Sequence, residues 1–271
     1  MSAGRRLGVL GWPVAHSRSP AMHGAAFAAA GLTGWRYQLL PVPAELFTET
    51  ARALGGAGFR GANVTVPHKE AALALADTAT ACARAIGAAN TLTFDPSRGV
   101  SAENTDAPGL LAALGQPVTG ATALVLGAGG SARAVTWALL DAGAAAVSVW
   151  NRSAQRGVDL ARDLGASPVS RAHPADLLVN CTSIGRGDPG QTFKALPLRA
   201  DDLGSYGCVV DMVYRQGPTE LLDAARRRGT RTVDGLEVLV RQGALSFELW
   251  TGVPAPLEAM RAGARGHPPP C

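Results

Sequence analysis

The chain has 271 residues, which is long enough for one large domain or two modest ones, each with its own apolar core. Hydrophobic residues make up 47% of the chain, and glycine and proline occur without a period, which excludes a disordered or fibrous protein. The net charge is only +4, and the densest basic cluster (Arg226, Arg227, Arg228 and Arg231) contains no aromatic residue. This pattern argues against nucleic-acid binding and favours a solvated helix face.

The cysteines and histidines are scattered along the chain. The cysteines show no C-x-x-C pair, and the histidines at positions 16, 23, 68 and 173 show no metal-ligand spacing. We therefore predict neither a metal site nor a disulfide framework, and structural roles for these histidines. The apolar stretch at residues 7–10 is too short for a signal sequence, and no run reaches membrane-spanning length. These features predict a cytoplasmic protein.

The apolar pattern predicts an α/β fold with two layers of strands and helices. Short β-rich runs alternate with alanine-rich helical stretches, which is typical of sheets with helical crossovers. A helix follows over residues 236–250, and the proline-rich tail over residues 263–271 is expected to be frayed or extended. The strands are predicted near residues 7–10, 37–42, 61–66, 91–94, 123–126, 147–150, 177–180 and 209–213.

The first segment with chemical interest is residues 11–20, which follows a strand and precedes a helix. Ser19 and Pro20 suit a helix N-cap and first helical position, so capping is the simpler interpretation. Capping leaves Ser17 unexplained. Two hydroxyls beside a helix N-terminus also favour an anion, because the amides there are unpaired and the helix dipole is positive. A carboxylate site is therefore the alternative interpretation.

The next segment is a strand over residues 61–66 that leads into a helix. Asn63 and Thr65 share one face of it, and Lys69 lies in the first turn of the helix, where a cation is disfavoured by the dipole. Of 25 basic residues in the chain, only Lys69 and Lys194 are lysines. Arginine stays protonated, whereas a lysine, with a reference pKa of about 10.4, can give up its proton when buried. Either proton transfer or an ordinary surface lysine fits.

Asp106 follows at the point where the first half of the chain passes into the second. It could cap a helix over residues 108–114, or it could pair with Lys69 and hold the ammonium in place. Asn90, at the start of a strand, and Gln242, on the last helix, are equally ambiguous.

A nucleotide-binding turn follows the strand at residues 123–126. The first glycine of a G-x-G-x-x-A motif allows the tight turn, the second allows close approach of a pyrophosphate, and the alanine allows close packing of helix on sheet. The helix that follows presents free amides to the phosphates. The residues of this predicted cofactor site are Gly127, Ala128, Gly129, Gly130, Ser131 and Ala132.

The end of the next strand indicates which nucleotide is bound. NAD enzymes place an acid there for the ribose 2′-hydroxyl, whereas NADP enzymes need cations for the 2′-phosphate. This chain has Asn151, Arg152 and Ser153 at that position, with Arg156 one turn later. Arg152 can stack on adenine and pair with a phosphate, so we predict NADP(H) rather than NAD.

Together these segments resemble the shikimate dehydrogenase family over nearly the whole chain. The matching segments are residues 11–20 with His23, Asn63-Val64-Thr65 through Lys69, Ala89-Asn90-Thr91, Asn104-Thr105-Asp106, residues 127–132, Asn151-Arg152-Ser153, residues 180–185, residues 211–214 and Gln242-Gly243-Ala244. The sequence departs from the family pattern at Gly24, where asparagine commonly follows the histidine, and at Arg186, where methionine is common.

The resemblance implies a division into two domains and a set of binding residues. Residues 1–104 would form a substrate-binding catalytic domain, residues 105–237 a Rossmann-type NADP-binding domain, and residues 238–271 a helical segment that returns to the first domain. Thr182, Met212 and Gly235 would join the cofactor site, Gly235 against the nicotinamide. The substrate residues implied are Ser17 and Ser19 for the carboxylate, Tyr214 nearby, and Asn63, Thr65, Asn90 and Gln242 with the catalytic residues Lys69 and Asp106.

The resemblance also implies the reaction, which is NADP-dependent, reversible reduction of 3-dehydroshikimate to shikimate in aromatic amino acid biosynthesis. Lys69 would exchange a proton with the hydroxyl oxygen, and Asp106 would orient Lys69. The protein would be a monomer or homodimer that binds neither nucleic acid nor membranes. The alternatives are a quinate or aminoshikimate dehydrogenase, a non-catalytic NADP-binding regulator on the same scaffold, or another two-domain Rossmann reductase such as a folate dehydrogenase.

Overall fold

The computed structural model describes residues 5–187, 190–215 and 217–266, and the chain divides into two compact units. The first unit contains the residues up to Gly109 together with those from Leu239 onward, and the second unit contains Leu110–Val238. The division falls inside two helices, at residues 109–110 and 238–239. Each unit contains one sheet of six strands covered by helices, which is a two-sheet α/β fold.

The elements follow the alternation of strand and helix that the apolar pattern predicts. Along the first part of the chain they are β1 (Arg5–Gly11), α1 (Ser19–Ala29), β2 (Trp35–Pro41), α2 (Phe47–Gly56), β3 (Phe59–Val64), α3 (Lys69–Leu75), β4 (Thr78–Ala79), α4 (Ala81–Ile86), β5 (Thr91–Asp95), β6 (Gly99–Glu103) and α5 (Asp106–Leu114). They continue with β7 (Thr122–Leu126), α6 (Gly130–Asp141), β8 (Ala146–Trp150), α7 (Ala154–Leu164), β9 (Ser167–Pro168), β10 (Ala175–Asn180), α8 (Thr192–Ala195), β11 (Tyr206–Asp211), α9 (Glu220–Arg227), β12 (Arg231–Asp234), α10 (Gly235–Thr251) and α11 (Leu257–Arg265).

The first sheet is mixed, with the order β2-β1-β3-β5-β6-β4. Strands β1, β2 and β3 are parallel, whereas β5 runs antiparallel to both β3 and β6. The sequence pattern did not predict β4, which has two residues, or β6, which carries few large apolar side chains. The antiparallel β5 has a consequence for the site, since its first residue lies at the same edge of the sheet as the last residues of β1, β3 and β6.

The end of the chain packs on the first unit. Gly263 of α11 lies so close to α1 that a Cβ atom there would stand 2.6 Å from the carbonyl oxygen of Ala21. Met260 and Ala264 of α11 are buried, which holds this segment in a helix through Arg265. The expectation of a frayed or extended tail from residue 263 was therefore wrong for residues 263–265, and residues 267–271 lie outside the described part of the chain.

The second sheet is entirely parallel, with the order β12-β11-β10-β7-β8-β9. This is the Rossmann-type arrangement, with helical crossovers and the switch of strand order at β7. The predicted strand over residues 209–213 is β11, which starts and ends earlier, so that Met212 and Val213 follow the strand. Strands β9 and β12 were not predicted. Within the described residues, no helix is both long enough and apolar enough to cross a lipid bilayer.

Candidate functional site

Four chain segments meet at one edge of the first sheet. The segments after β1 and β3 are joined by hydrogen bonds from the Thr65 amide to the Leu10 carbonyl (2.8 Å) and from the Trp12 amide to the Val66 carbonyl (3.0 Å). The segments before β5 and after β6 join them, because the Val64 amide donates to the Asn90 carbonyl (2.8 Å) and the Asn90 amide donates to the Glu103 carbonyl at the end of β6 (3.1 Å). Residues far apart in sequence therefore lie together at this edge.

Lys69 and Asp106 form a buried ion pair at this edge. The Lys69 Nζ donates to the Asp106 Oδ2 at 2.5 Å, and the two side chains are 9% and 8% exposed. Asp106 is the first residue of α5, but the cap of that helix is Asn104, whose side-chain oxygen accepts from the amides of Asp106 (3.1 Å) and Ala107 (3.3 Å). Of the two roles considered for Asp106, the structure shows pairing with Lys69.

Asn90 connects this ion pair to α10, the helix that contains Gln242. Its Nδ2 donates to the second oxygen of Asp106 (2.9 Å), to Thr105 Oγ1 (3.0 Å) and to Gln242 Oε1 (3.1 Å). Its Oδ1 accepts from the Thr105 amide at 2.7 Å. Gln242 reaches this position because Gly109 has no side chain, and a Cβ atom there would stand 2.7 Å from that of Gln242. Asn90 therefore fixes the orientation of the Asp106 carboxylate.

A second layer of polar side chains lies beneath these residues, and the sequence analysis missed most of it. The Asn63 Nδ2 has acceptors at 3.2 Å or less on Asn90, Thr91 and Ser246, and its Oδ1 accepts from the Tyr37 hydroxyl at 2.7 Å. The Asn63 Oδ1 can accept a second hydrogen bond, and the predicted contact of Asn63 with substrate stays a prediction. The spacing of Ser246 could have identified it, because it follows Gln242 by one helical turn on the same face.

Ser17 and Ser19 follow β1 and Thr65 follows β3, two strands whose ends are joined at this edge of the sheet. The Ser17 hydroxyl accepts from the Ser19 amide at 3.3 Å, and both serines are buried. The helix α1 begins at Ser19, and no side chain caps it in the usual N-cap manner. The interpretation of Ser19 as the N-cap was therefore wrong: Ser19 is already helical, and Ser17 makes the local bond to its amide. Thr65 is half-buried and packs against Gly11, where a Cβ atom would stand 2.4 Å from its methyl group.

The predicted nucleotide turn is present in the second unit. It connects β7 to α6, with Gly127 at φ +113, a conformation that favours glycine. A Cβ atom on Gly127 would stand 3.2 Å from the backbone of Cys181, whereas one on Gly129 would meet nothing within 4 Å. The first turn of α6 contains no acidic residue and no side-chain cap. Its amides are available to a phosphate, and Ala128, Gly130 and Ser131 are half-buried around them while Ala132 is buried in the core.

The segment after β8 has no acidic residue between Asn151 and Arg156. The Asn151 side chain donates to the Ser153 carbonyl at 2.9 Å and so shapes the turn into α7. Arg152 and Arg156 are exposed beside it. This segment suits the binding of a phosphate monoester and not that of a free ribose diol.

The strands β10 and β11 end in a third group of polar residues. Asn180 accepts from the amide and hydroxyl of Thr182 (3.1 and 2.7 Å) and donates to Asp211 (2.9 Å). Met212 and Tyr214 follow Asp211 and are half-buried. Gly235 approaches this segment so closely that a Cβ atom would stand 2.7–2.8 Å from the carbonyl oxygens of residues 211–213. The predicted cofactor residues Thr182, Met212 and Gly235 are thus neighbours in the second unit.

Histidine and cysteine side chains are the common protein ligands of transition metals, and cysteine thiols also take part in redox chemistry. In the described ranges no group of three or more His, Cys, Asp or Glu side chains could hold a metal ion. Cys208 is a free, buried thiol. Buried His68 bonds the Val42 carbonyl at 2.7 Å and stacks on Phe47, and desolvation by burial is the main reason that its pKa is lowered. His68 therefore supports the fold.

Comparison with protein families gives a consistent result along the chain. Residues 9–92 match the shikimate dehydrogenase substrate binding domain, residues 110–183 match shikimate / quinate 5-dehydrogenase, and residues 235–264 match the shikimate 5′-dehydrogenase C-terminal domain.

Individual relatives are similar over nearly the full length. The chain is 47% identical over 260 residues to the shikimate dehydrogenase (NADP(+)) of Methylobacterium radiotolerans, covering 90% of each chain. It is 47% identical over 269 residues to that of Thermus thermophilus, covering 96% of this chain and 97% of the relative. A crystal structure of shikimate 5-dehydrogenase from Thermus thermophilus in complex with NADP(H) and shikimate matches with a TM-score of 0.85 and 43% identity, covering 96% of this chain and 98% of that one.

Proposed function

This chain belongs to the shikimate dehydrogenase family, and from that premise we propose that it catalyses the NADP-dependent, reversible reduction of 3-dehydroshikimate to shikimate. The observation that carries the proposal is the buried Lys69–Asp106 ion pair, with 2.5 Å between Nζ and Oδ2, at a sheet edge lined with hydroxyl and amide groups. Such a site suits a polyhydroxylated acid whose hydroxyl exchanges a proton with an ammonium.

The residues of the first unit would bind the substrate. Ser17 and Ser19 present hydroxyls beside the N-terminus of α1, where the helix dipole favours a carboxylate. Thr65, Asn90 and Gln242 would bind ring hydroxyls together with the ion pair. Asn63 supports them through the layer beneath, and Tyr214 from the second unit is proposed as a further contact to the substrate.

The second unit fits a dinucleotide with a 2′-phosphate. Gly127, Gly129 and the amides at the start of α6, which no side chain caps, would provide a cradle for the pyrophosphate, and Arg152 and Arg156 would provide cations for the 2′-phosphate. Thr182, Met212 and Gly235 would contact the nicotinamide end. The chemistry that NADP(H) supplies when bound is hydride transfer to or from the carbon that bears the reacting oxygen.

Lys69 and Asp106 perform the proton chemistry. In the reductive direction the Lys69 ammonium donates a proton to the oxygen that becomes the hydroxyl, and in the oxidative direction the neutral amine accepts it back. Asp106 holds the Lys69 side chain in one position, and its second oxygen is itself held by Asn90. Such fixed geometry means that the proton donor needs no reorganisation during the reaction.

Quinate is the second candidate substrate, because the model matched by residues 110–183 describes both acids. Quinate differs from shikimate in its saturated ring, and the described contacts do not separate the two. A non-catalytic NADP-binding regulator is disfavoured by the intact Lys69–Asp106 pair, since a sensor does not need a buried proton donor.

The test is to follow the absorbance of reduced nicotinamide with purified protein, offering shikimate or quinate with NADP or NAD. Turnover of shikimate with NADP, well above that of the other three combinations, is the expected result. Turnover with quinate alone would reassign the substrate, and turnover with NAD alone would contradict the role proposed for Arg152. No turnover with either acid would overturn the proposal.

We further propose that the protein acts in the cytoplasm as a monomer or homodimer that binds neither nucleic acid nor membranes. The free thiol of Cys208 and the lack of any C-x-x-C pair in the sequence are consistent with a reducing compartment. Sedimentation of the purified protein would determine the oligomeric state, and a tetramer or larger assembly would contradict this proposal.

A further inference from the structure

Asp211 is a buried carboxylate that the proposed mechanism does not use. It is the last residue of β11 and is 0% exposed. Its Oδ1 accepts from the Asn180 side chain (2.9 Å) and the Val213 amide (3.1 Å), and its Oδ2 accepts from the Thr219 hydroxyl (2.6 Å). A carboxylate is therefore held here entirely by neutral donors.

These hydrogen bonds connect the two segments that carry proposed cofactor residues. On one side, Asn180 links Asp211 to Thr182, because the opposite end of the Asn180 amide accepts from both the amide and the hydroxyl of Thr182. On the other side, the bond to the Val213 amide holds the turn that follows β11 and carries Met212. The Asp211 carboxylate thus sets the position of both segments at once.

The charge environment of Asp211 favours its neutral form. Asn180 faces it from β10, Thr219 from the start of α9 and Asp234 from β12, and of these only Asp234 carries a charge. Desolvation by burial, with a smaller contribution from the Asp234 charge, raises the pKa of Asp211 to about 6. The carboxylate can therefore gain a proton near neutral pH, and the neutral acid then holds these donors more weakly than the ionised carboxylate does, because the hydrogen bonds are no longer charge-assisted.

We propose that Asp211 is a positioning residue for the cofactor, whose ionised carboxylate holds Thr182 and Met212 in the arrangement that binds the nicotinamide end of NADP(H). The inference rests on the proposed function. Protonation of Asp211 loosens both segments, so that cofactor affinity depends on pH through a group that contacts neither the cofactor nor the substrate.

The test measures NADPH binding by fluorescence titration without substrate, so that Lys69 and the reaction are not involved. At pH 8 we expect Asp211→Asn to bind NADPH about tenfold more weakly than the parent protein, because a charge-assisted set of hydrogen bonds is lost. The ratio of the two dissociation constants should approach one below pH 6. The 2′-phosphate of NADPH also titrates near pH 6, but it does so equally for both proteins and cancels from the ratio.

Asp176→Asn is the matched control. Asp176 begins β10, whereas Asn180 ends it, and its carboxylate also accepts from neutral donors, namely the Thr122 amide (2.7 Å) and hydroxyl (2.8 Å). It lies at the opposite edge of the same sheet and is exposed. Its substitution should leave NADPH affinity unchanged at every pH. An equal loss of affinity in Asp176→Asn would show a general effect of charge and overturn the proposal.

Asp234→Asn provides a second variant that keeps Asp211 intact. Asparagine preserves the hydrogen bond that the Asp234 side chain accepts from the Leu236 amide (2.8 Å) but removes the charge that raises the pKa of Asp211. The pH below which NADPH affinity falls should therefore be lower in Asp234→Asn than in the parent protein. The inference would be overturned if this pH were the same in Asp234→Asn as in the parent. It would also be overturned if Asp211→Asn were folded and bound NADPH at pH 8 as tightly as the parent does. A parent protein that binds no NADPH at any pH would overturn the proposed function as well.

Discussion

The two units each bury an aspartate, Asp106 at the start of α5 and Asp211 at the end of β11, and they stabilise it by different means. Asp106 pairs with the Lys69 ammonium at 2.5 Å and accepts one further bond from Asn90. Asp211 has only the neutral donors of Asn180, Val213 and Thr219. A counter-charge stabilises the ionised form of a buried carboxylate, which can then hold a proton-donating lysine in place. A carboxylate held only by neutral dipoles is closer to protonation. The first arrangement suits chemistry and the second suits positioning.

The largest expected effect comes from removing the cation of the first arrangement. Lys69→Ala should lower kcat about 100- to 10,000-fold with little change in KM, because general acid–base assistance is lost while the binding groups remain. Lys194→Ala is the matched control, since Lys194 is the other lysine of the chain and is exposed on α8. A Lys69→Ala enzyme with unchanged kcat would contradict the assigned role, as would a comparable loss in Lys194→Ala.

The stability of the ion pair provides the next prediction. Lys69→Met and Asp106→Leu should each lower the free energy of unfolding by about 3–5 kcal/mol, because each leaves a buried charge without its partner. The double variant should lose less than either single variant, since no uncompensated charge remains. Denaturant unfolding of all four proteins measures the coupling. Additive losses would show that the pair is solvated in solution, unlike in the structure.

The contrast between the two aspartates also shows how far the sequence alone could reach. Lys69 could be identified because lysine is rare in this chain and because the helix dipole disfavours a cation there. Its partner could not be chosen from the sequence, because Asp106 equally suited a helix cap. Only the antiparallel β5, which starts at the edge where β3 and β6 end, brings Asn90 and Asp106 to Lys69.

The same limit applies to the rest of the fold. Period and composition predicted the parallel strands β7, β8, β10 and β11, because buried strands in such sheets are continuous apolar runs. Strands β4, β9 and β12 were missed because they are short, and β6 was missed because it alternates buried with half-buried residues and has little apolar bulk. Asp211 was overlooked because the predicted strand extended to Val213, which placed this carboxylate within a strand and not at its end.

His23 is a third buried titratable group, and it has neither a counter-charge nor a hydrogen-bond partner among the described residues. His23 is 0% exposed, neither ring nitrogen has a hydrogen-bond partner among the described residues, and the ring stacks on Tyr37 at 4.3 Å. Desolvation by burial lowers the pKa of His23 from its ordinary value of 6.5 to about 3. Between these pH values His23 is protonated in the unfolded chain but not in the folded protein. The free energy of unfolding therefore falls as the pH drops from 6.5 toward 3.

We expect this histidine to reduce the free energy of unfolding by about 2 kcal/mol between pH 7 and pH 5. Between pH 7 and pH 5 the free energy of unfolding of His23→Leu should fall by about 2 kcal/mol less than that of the parent protein, whatever the stability of the variant at pH 7. The control is Phe59→Leu, which changes a buried aromatic residue of the same unit but removes no titratable group, so the pH dependence should not change. Parallel pH curves for His23→Leu and the parent would contradict burial of an unpartnered ring.

The smallest effect is expected in the hydroxyl layer beneath the ion pair. Ser246 Oγ accepts from Asn63 (2.9 Å) and lies 3.0 Å from Thr91 Oγ1, but both partners keep other hydrogen bonds when it is removed. Ser246→Ala should therefore cost about 1 kcal/mol of stability, the usual net value of a neutral buried hydrogen bond. Ser101→Ala, which removes a half-buried hydroxyl of β6 bonded to Thr78, should cost less, within about 0.5 kcal/mol. If Ser246→Ala instead lowered kcat as far as Lys69→Ala does, the layer would set the orientation of Asn90 and Asp106, and the ion pair would owe its geometry to neutral dipoles much as Asp211 does.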